Sequence, residues 1–111
     1  VQTNSGKQVI DSVKEYVTVN FKDPNLSLTS AAEHASVSTG YLSGLFKKET
    51  GTNFVKYLTD VRMEKSIQLL RTTDMKTYEI AFETGFSNPH YFSVAFKKYT
   101  GMSPSEFRAK E

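Results

Sequence analysis

The hexapeptide Phe46-Lys47-Lys48-Glu49-Thr50-Gly51 returns as Phe96-Lys97-Lys98-Tyr99-Thr100-Gly101, 50 residues later in a chain of 111. Upstream, Tyr41, Leu42 and Ser43 align with Tyr91, Phe92 and Ser93 at the same offset. Further back the register slips by one, so that Ala32 aligns with Ala81 and the second copy carries an extra residue in its turn. A solenoid needs about three repeats or more to bury a continuous core. Two copies therefore point to a duplicated supersecondary unit.

Each copy reads as helix, tight turn, helix. In the first, Ser27 is placed to cap a helix over about 28–35, Ser36-Val37 forms the turn, and Ser38 caps a second helix through about Thr50. In the second, a helix over about 77–84 is followed by the turn Gly85-Phe86-Ser87. Asn88 and Pro89 then supply the cap and the first-turn proline of a helix ending near Tyr99. Gly51 and Gly101 stand where helices commonly end in a left-handed residue, and Ser103-Pro104 opens a last short helix. Ala32, Val37, Leu42 and Leu45 mark the buried side of the first unit, and Ala81, Phe86, Phe92 and Ala95 that of the second. The small alanines let the paired helices cross closely.

Two further helices frame the units. Val9, Ile10, Val13 and Val17 recur at helical spacing and predict an N-terminal helix ending before Asp23-Pro24. Residues 53–71 contain neither Gly nor Pro. There Phe54, Leu58 and Val61 mark one face, and Met63, Ile67 and Leu70 another. A single helix serving two cores in succession is what a rigid connector requires. At about 1.5 Å per residue it spans roughly 28 Å, a loose match to the ~34 Å between successive major-groove segments on one side of B-DNA. The expected organisation is a residual linker over 1–6, a first helix-turn-helix unit over 7–52, a linker helix over 53–71 and a second unit over 72–111. The fold class is all-α, with about seven helices.

The formal net charge is only +2, but its distribution follows the repeat. Residues 36–56 hold Lys47, Lys48 and Lys56 against Glu49 alone, and residues 85–111 hold Lys97, Lys98, Arg108 and Lys110 against Glu106 and Glu111. The intervening stretches carry a small acidic excess. Cysteine is absent, which removes disulfides, thiol nucleophiles and cysteine zinc sites, and two histidines alone make a poor metal set. No apolar run approaches the ~20 residues of a membrane span, and the first residues do not form a secretory signal. A cytoplasmic protein without a cofactor is expected.

The segments YLSGLFKKETGTNFVKYLTDVRMEKSIQLL and YEIAFETGFSNPHYFSVAFKKYTGMSPSEFR resemble the DNA-binding domain of AraC/XylS-type bacterial transcription regulators, over about residues 7–109. That resemblance implies seven helices, two helix-turn-helix units joined by a long helix, and recognition helices entering adjacent major grooves of double-stranded DNA. It implies an output domain, usually of an activator that touches RNA polymerase. It also implies a partner domain on the N-terminal side, a small-molecule sensor or a phosphoryl receiver, which governs dimerisation.

By family correspondence, base reading falls to Thr39, Gly40, Ser43 and Gly44 in the first recognition helix, and to Asn88, Pro89, His90, Ser93 and Val94 in the second. The lysine pairs Lys47/Lys48 and Lys97/Lys98 are phosphate candidates, since phosphate contacts supply most of the affinity and base-edge contacts the discrimination. The resemblance points the first lysine of each pair toward DNA. Gly44 and Val94 depart from the family pattern, which often places a long polar side chain there. Neither can make the bidentate contact to guanine that dominates direct readout. Val94 is expected against a thymine methyl, and Gly44 suggests a close approach of backbone to DNA. Ser36 replaces a common turn glycine and is expected at strained positive φ. Thr77 and Thr84 replace aliphatic residues and suggest reduced stability.

Other readings fail on chemistry. Ser38 in SVSTG misses the first glycine of a nucleophile elbow. Glu33 and Glu83 occupy equivalent but separate repeat positions and read as helix-surface contacts, while Arg62 and Glu64 in the linker helix read as structural salt-bridge formers. His34, on a non-reading helix, reads as surface. The chain is not expected to be an enzyme. The rival from another class is a helical protein-interaction module that contacts RNA polymerase or a partner domain without reading bases.

Overall fold

Capping chemistry fixes where the helices of this chain begin and end. A computed structural model describes residues 6–110, and in it seven helices follow in order: α1 (Gly6–Asn20), α2 (Leu28–His34), α3 (Thr39–Thr50), α4 (Phe54–Thr72), α5 (Thr77–Glu83), α6 (Pro89–Thr100) and α7 (Pro104–Lys110). No strand occurs among the described residues. The linker expected over residues 1–6 lies outside them apart from Gly6, which opens α1. No helix among them is long and apolar enough to cross a membrane.

Ser27 Oγ accepts the Ser30 amide at 3.2 Å while Ser30 Oγ accepts the Ser27 amide at 2.9 Å, a reciprocal cap that starts α2. Ser38 Oγ accepts the Tyr41 amide at 3.1 Å and starts α3. Asn88 Oδ1 accepts the amides of His90 (2.8 Å) and Tyr91 (3.2 Å), with Pro89 in the first turn, and starts α6. These side-chain acceptors satisfy amides that the first turn of a helix leaves without partners.

The two turns share one hydrogen-bond pattern. After α2, the Ser36 amide donates to the Glu33 carbonyl at 3.1 Å and the Val37 amide to Ala32 at 3.0 Å. After α5, the Gly85 amide donates to Phe82 at 3.3 Å and the Phe86 amide to Ala81 at 2.9 Å. This is the Schellman closure, in which the residue after the cap takes the left-handed conformation. Gly85 does so at φ 94, and Ser36 does so at φ 59 despite its side chain, as expected from the sequence.

The repeated Thr-Gly forms a second shared device. Thr50 Oγ1 donates to the Phe46 carbonyl at 2.7 Å, lies 2.9 Å from the Thr52 carbonyl and accepts the Thr52 amide at 3.2 Å. Thr100 Oγ1 does the same with Phe96 at 2.9 Å, the Met102 carbonyl at 2.9 Å and the Met102 amide at 3.1 Å. Gly51 and Gly101 follow at φ 80 and 89. Each corner ends the second helix of a helix-turn-helix unit and aims the chain into the next helix, α4 or α7. Asn53 and Ser103 begin those helices by accepting the amides of Lys56 (2.8 Å) and Glu106 (3.1 Å).

The chain divides into two compact units, and the division falls inside α4, between Thr59 and Asp60. In the first unit α1, α2 and α3 pack on one another. They bury Val9, Ile10, Val13, Val17, Ala31, Ala32, Leu42 and Phe46 together with Leu26, Phe54 and Leu58. The Phe46 ring meets Phe54 edge-on at 5.7 Å and Tyr57 at 5.2 Å. His34 is exposed and stacks on Tyr16 at 4.5 Å.

In the second unit Met63, Leu70, Ile80, Ala81, Phe86, Phe92, Phe96 and Phe107 form the core. Phe96 meets Phe107 edge-on at 5.5 Å, the counterpart of the Phe46–Phe54 contact. Arg108 reaches back to three carbonyls, from Nε to Leu70 (3.2 Å), Nη2 to Thr73 (2.9 Å) and Nη1 to Met75 (2.6 Å). It thereby satisfies acceptors that the C-terminus of α4 and the following loop leave open. Thr84 is fully buried, but its hydroxyl donates to the Ile80 carbonyl at 2.8 Å, with Ala81 at 3.3 Å. The stability loss expected at this position is thus offset by a satisfied hydroxyl. Glu83 pairs with Lys22 at 2.8 Å, a surface contact of the kind the sequence suggested.

Candidate nucleic-acid interface

Helical periodicity settles which side chains of α3 and α6 face outward. Leu42 and Phe46, one turn apart, are buried, and so are Phe92 and Phe96. At 3.6 residues per turn the opposite side of α3 then carries Gly40, Gly44 and Lys47, and that of α6 carries His90, Val94 and Lys97. All six are exposed. Each stripe belongs to its own unit, and the two agree position for position at an offset of 50 residues.

The remaining candidates flank these stripes. Thr39, Ser43 and Lys48 are exposed on α3, as are Asn88 and Lys98 on α6, whereas Pro89 and Ser93 are half-buried. Asn88 is committed through its oxygen to the α6 cap. None of Lys47, Lys48, Lys97 and Lys98 joins an ion pair among the described residues. Lys7 and Lys22, by contrast, are paired with Asp11 and Glu83. The Glu106 carboxyl is held below its usual range chiefly by hydrogen bonds from the Ser103 amide and hydroxyl, with a smaller contribution from the Lys97 charge. The outward faces of both recognition helices therefore carry cations available to an anionic partner.

Two residues that the sequence reading left out of the site also stand there. Tyr41 and Tyr91 occupy equivalent positions on the flank that bears Lys48 and Lys98, and are 49% and 62% exposed. The repeat had already paired them, and an aromatic kept on the outward side of both copies was the available signal. Tyr99, where the repeat departs from Glu49, plays a different part. Its hydroxyl donates to Glu64 Oε2 at 2.8 Å and ties the end of α6 to α4. Partial burial, then the bond to Glu64, pushes the Tyr99 phenol up to about 12. Arg62 donates to the Asp23 carbonyl at 2.8 Å and lies over the Phe86 ring at 5.8 Å, where burial lowers its affinity for the proton. Both residues hold the second unit together. Among the described residues no cluster of His, Asp or Glu could hold a metal.

Comparison with known proteins places this geometry. A helix-turn-helix domain family profile matches residues 31–110. The transcriptional regulatory protein YesN of Bacillus subtilis, itself uncharacterized, is 44% identical over 109 residues, covering 96% of this chain and 30% of that protein. The chain spans about a third of the length of the curated relatives it matches. The C-terminal domain of a two-component response regulator, yesN, from Fusobacterium nucleatum superimposes with a TM-score of 0.87 at 39% identity, over 88% of this chain and 95% of that one. A transcriptional regulator of the AraC-type DNA-binding-domain group from Chromobacterium violaceum superimposes with a TM-score of 0.83 at 30% identity, over 96% of both chains. The duplicated helix-turn-helix units, their Schellman turns and the matched outward stripes thus have a common setting: the chain belongs to the AraC-type helix-turn-helix domain family of transcription regulators.

Proposed function

We propose that the chain is the DNA-contacting output domain of a bacterial transcription regulator, with α3 and α6 as recognition helices laid in adjacent major grooves of a duplex. The observation that carries this is the recurrence, on the second helix of each helix-turn-helix unit, of an outward stripe ending in a lysine, Lys47 or Lys97, that joins no ion pair among the described residues. Lys47, Lys48, Lys97 and Lys98 meet phosphates, with Tyr41 and Tyr91 beside them. Thr39, Ser43, Asn88, Pro89, His90, Ser93 and Val94 face base edges, and Gly40 and Gly44 leave the α3 backbone bare. Hydrolytic or redox chemistry has no place in this scheme. The domain works in the cytoplasm and activates transcription under the control of an N-terminal sensor or receiver domain that dimerises the protein.

Contact with RNA polymerase or that control domain falls to a different surface. Tyr78 and Phe82, near one another on α5, are 49% and 50% exposed and offer an apolar face for it.

Fluorescence anisotropy with labelled duplexes tests the DNA reading. Affinity falls steeply from about 50 to 200 mM salt when several phosphates are neutralised, and Lys97→Ala lowers the logarithmic salt slope by about one while weakening binding on all sequences. Affinity for duplex that stays flat across this salt range would favour the protein-interaction module instead.

A further inference from the structure

The two recognition helices match in register but not in what they present. At the two outward positions where α3 has Gly40 and Gly44, α6 has His90 and Val94. Resting on the DNA reading above, we propose that sequence discrimination is concentrated in α6, through His90 and Val94, while α3 anchors the protein on DNA with little preference for sequence.

The chemistry of the exposed groups supports the division. His90 carries two ring nitrogens, and with one proton it offers a donor and an acceptor at separate points, which a base edge can match or mismatch. Val94 is 53% exposed, an apolar branched side chain on the side of α6 opposite its buried phenylalanines. In the major groove the thymine methyl is the apolar feature that distinguishes one base. On α3 the groups near the stripe, apart from the lysines and Tyr41, which α6 matches with Tyr91, are the hydroxyls of Thr39 and Ser43. A hydroxyl both donates and accepts, so it pairs with several base edges and separates them poorly. The Gly44 amide belongs to the helix, and the Gly40 amide, in the first turn of α3, is at most a single donor, too little to separate base pairs.

The fold does not demand these two glycines. A Cβ at either position meets nothing within 4 Å, whereas Gly51 and Gly101 need glycine for φ of 80 and 89. Glycine within a helix is unfavourable, so the bare surface runs against helix propensity. It also means that side chains can be added there without obstruction by the chain.

In vitro selection of duplexes bound by the intact chain tests the proposal. The wild type is expected to return one strongly constrained cluster of base pairs, including a thymine, beside a weakly constrained flank. His90→Ala and Val94→Ala should each relax one position of the cluster, by roughly 5- to 100-fold in preference. The double substitution Gly40→His with Gly44→Val places the α6 stripe on α3, and should convert the weak flank into a second constrained cluster resembling the first. Two equally constrained clusters in the wild type would overturn the proposal. So would a cluster that survives both alanine substitutions, or a double variant whose flank stays unconstrained. Absence of any salt-sensitive duplex binding would instead overturn the DNA reading itself, an outcome that anisotropy on the same preparations separates from the others.

Discussion

Replacing Ser36 by glycine should stabilise the first unit, and replacing Gly85 by alanine should destabilise the second. The two residues hold the same place in the same Schellman closure, and both lie at positive φ, 59 and 94. For an L-residue the left-handed conformation costs roughly 1–2 kcal/mol. Glycine removes that strain but also gives the unfolded chain more freedom, which returns about 0.4–1 kcal/mol. Ser36 is exposed, and its amide, not its side chain, makes the turn's hydrogen bond. No packing is therefore lost, and the net gain for Ser36→Gly is about 0.5–1 kcal/mol. In a unit of this size that corresponds to a rise of about 2–6 °C in melting temperature. At Gly85, alanine brings the left-handed strain without relief, and a loss of about 1–2 kcal/mol follows. Thermal and denaturant unfolding followed by helical circular dichroism measure both. Because the chain has two units, transitions are to be fitted separately where they resolve. A lower melting temperature for Ser36→Gly, or an unchanged one for Gly85→Ala, would refute the claim that backbone strain at this turn controls stability.

Arg108→Ala should destabilise the second unit by about 2–4 kcal/mol, because three carbonyls lose a charged donor. Lysine should restore only part of this, since it lacks the planar fork; full recovery with lysine in chemical unfolding would show that charge alone suffices. Thr84→Val should change stability by less than about 1 kcal/mol, the lost hydrogen bond to Ile80 being offset by removal of a buried polar group. A rise of several degrees in melting temperature would show that the buried hydroxyl is a burden after all.

What was legible in the sequence was what the chain encodes locally. Ser27, Ser38 and Asn88 cap helices through amides two or three residues away. The turns at Ser36 and Gly85 close over the preceding helical turn. Residue type and short spacing are enough to foresee such features. The Thr50 and Thr100 corners are just as local, but a threonine near a helix end has several possible partners, and the repeat alone did not indicate which it takes. The bonds of Arg108 to Leu70, Thr73 and Met75 and of Tyr99 to Glu64 span 33–38 residues. Nothing in a single sequence marks such pairs before the fold brings them together. The candidate site was legible for a further reason. A repeat samples one geometry twice, so a residue outward in one copy is outward in the other, and the pairing of Lys47 with Lys97 carried information that neither lysine holds alone.

Duplication also explains how so small an overall charge suits a polyanionic partner. Among the described residues, acidic and basic groups of the scaffold bind one another, as Lys22 does with Glu83 and Lys7 with Asp11. Glu106 has its carboxylate bound to the Ser103 amide at the α7 cap. With these acidic groups engaged, Lys47 and Lys97 remain as cations on the outward stripes and Lys48 and Lys98 on their flanks, and counterion release depends on such local cations more than on the sum over the chain. Four lysines are a modest number of phosphate contacts, and on the proposed DNA reading an isolated domain relying on them would bind weakly, with a logarithmic salt slope of no more than about four. Dimerisation supplied by another part of the protein would double the number of contacts on one stretch of DNA, and linked binding raises affinity well beyond either half without any new contact. On the proposed reading, the slight net charge would let dimerisation set occupancy of the operator, each domain alone being held too loosely to stay bound.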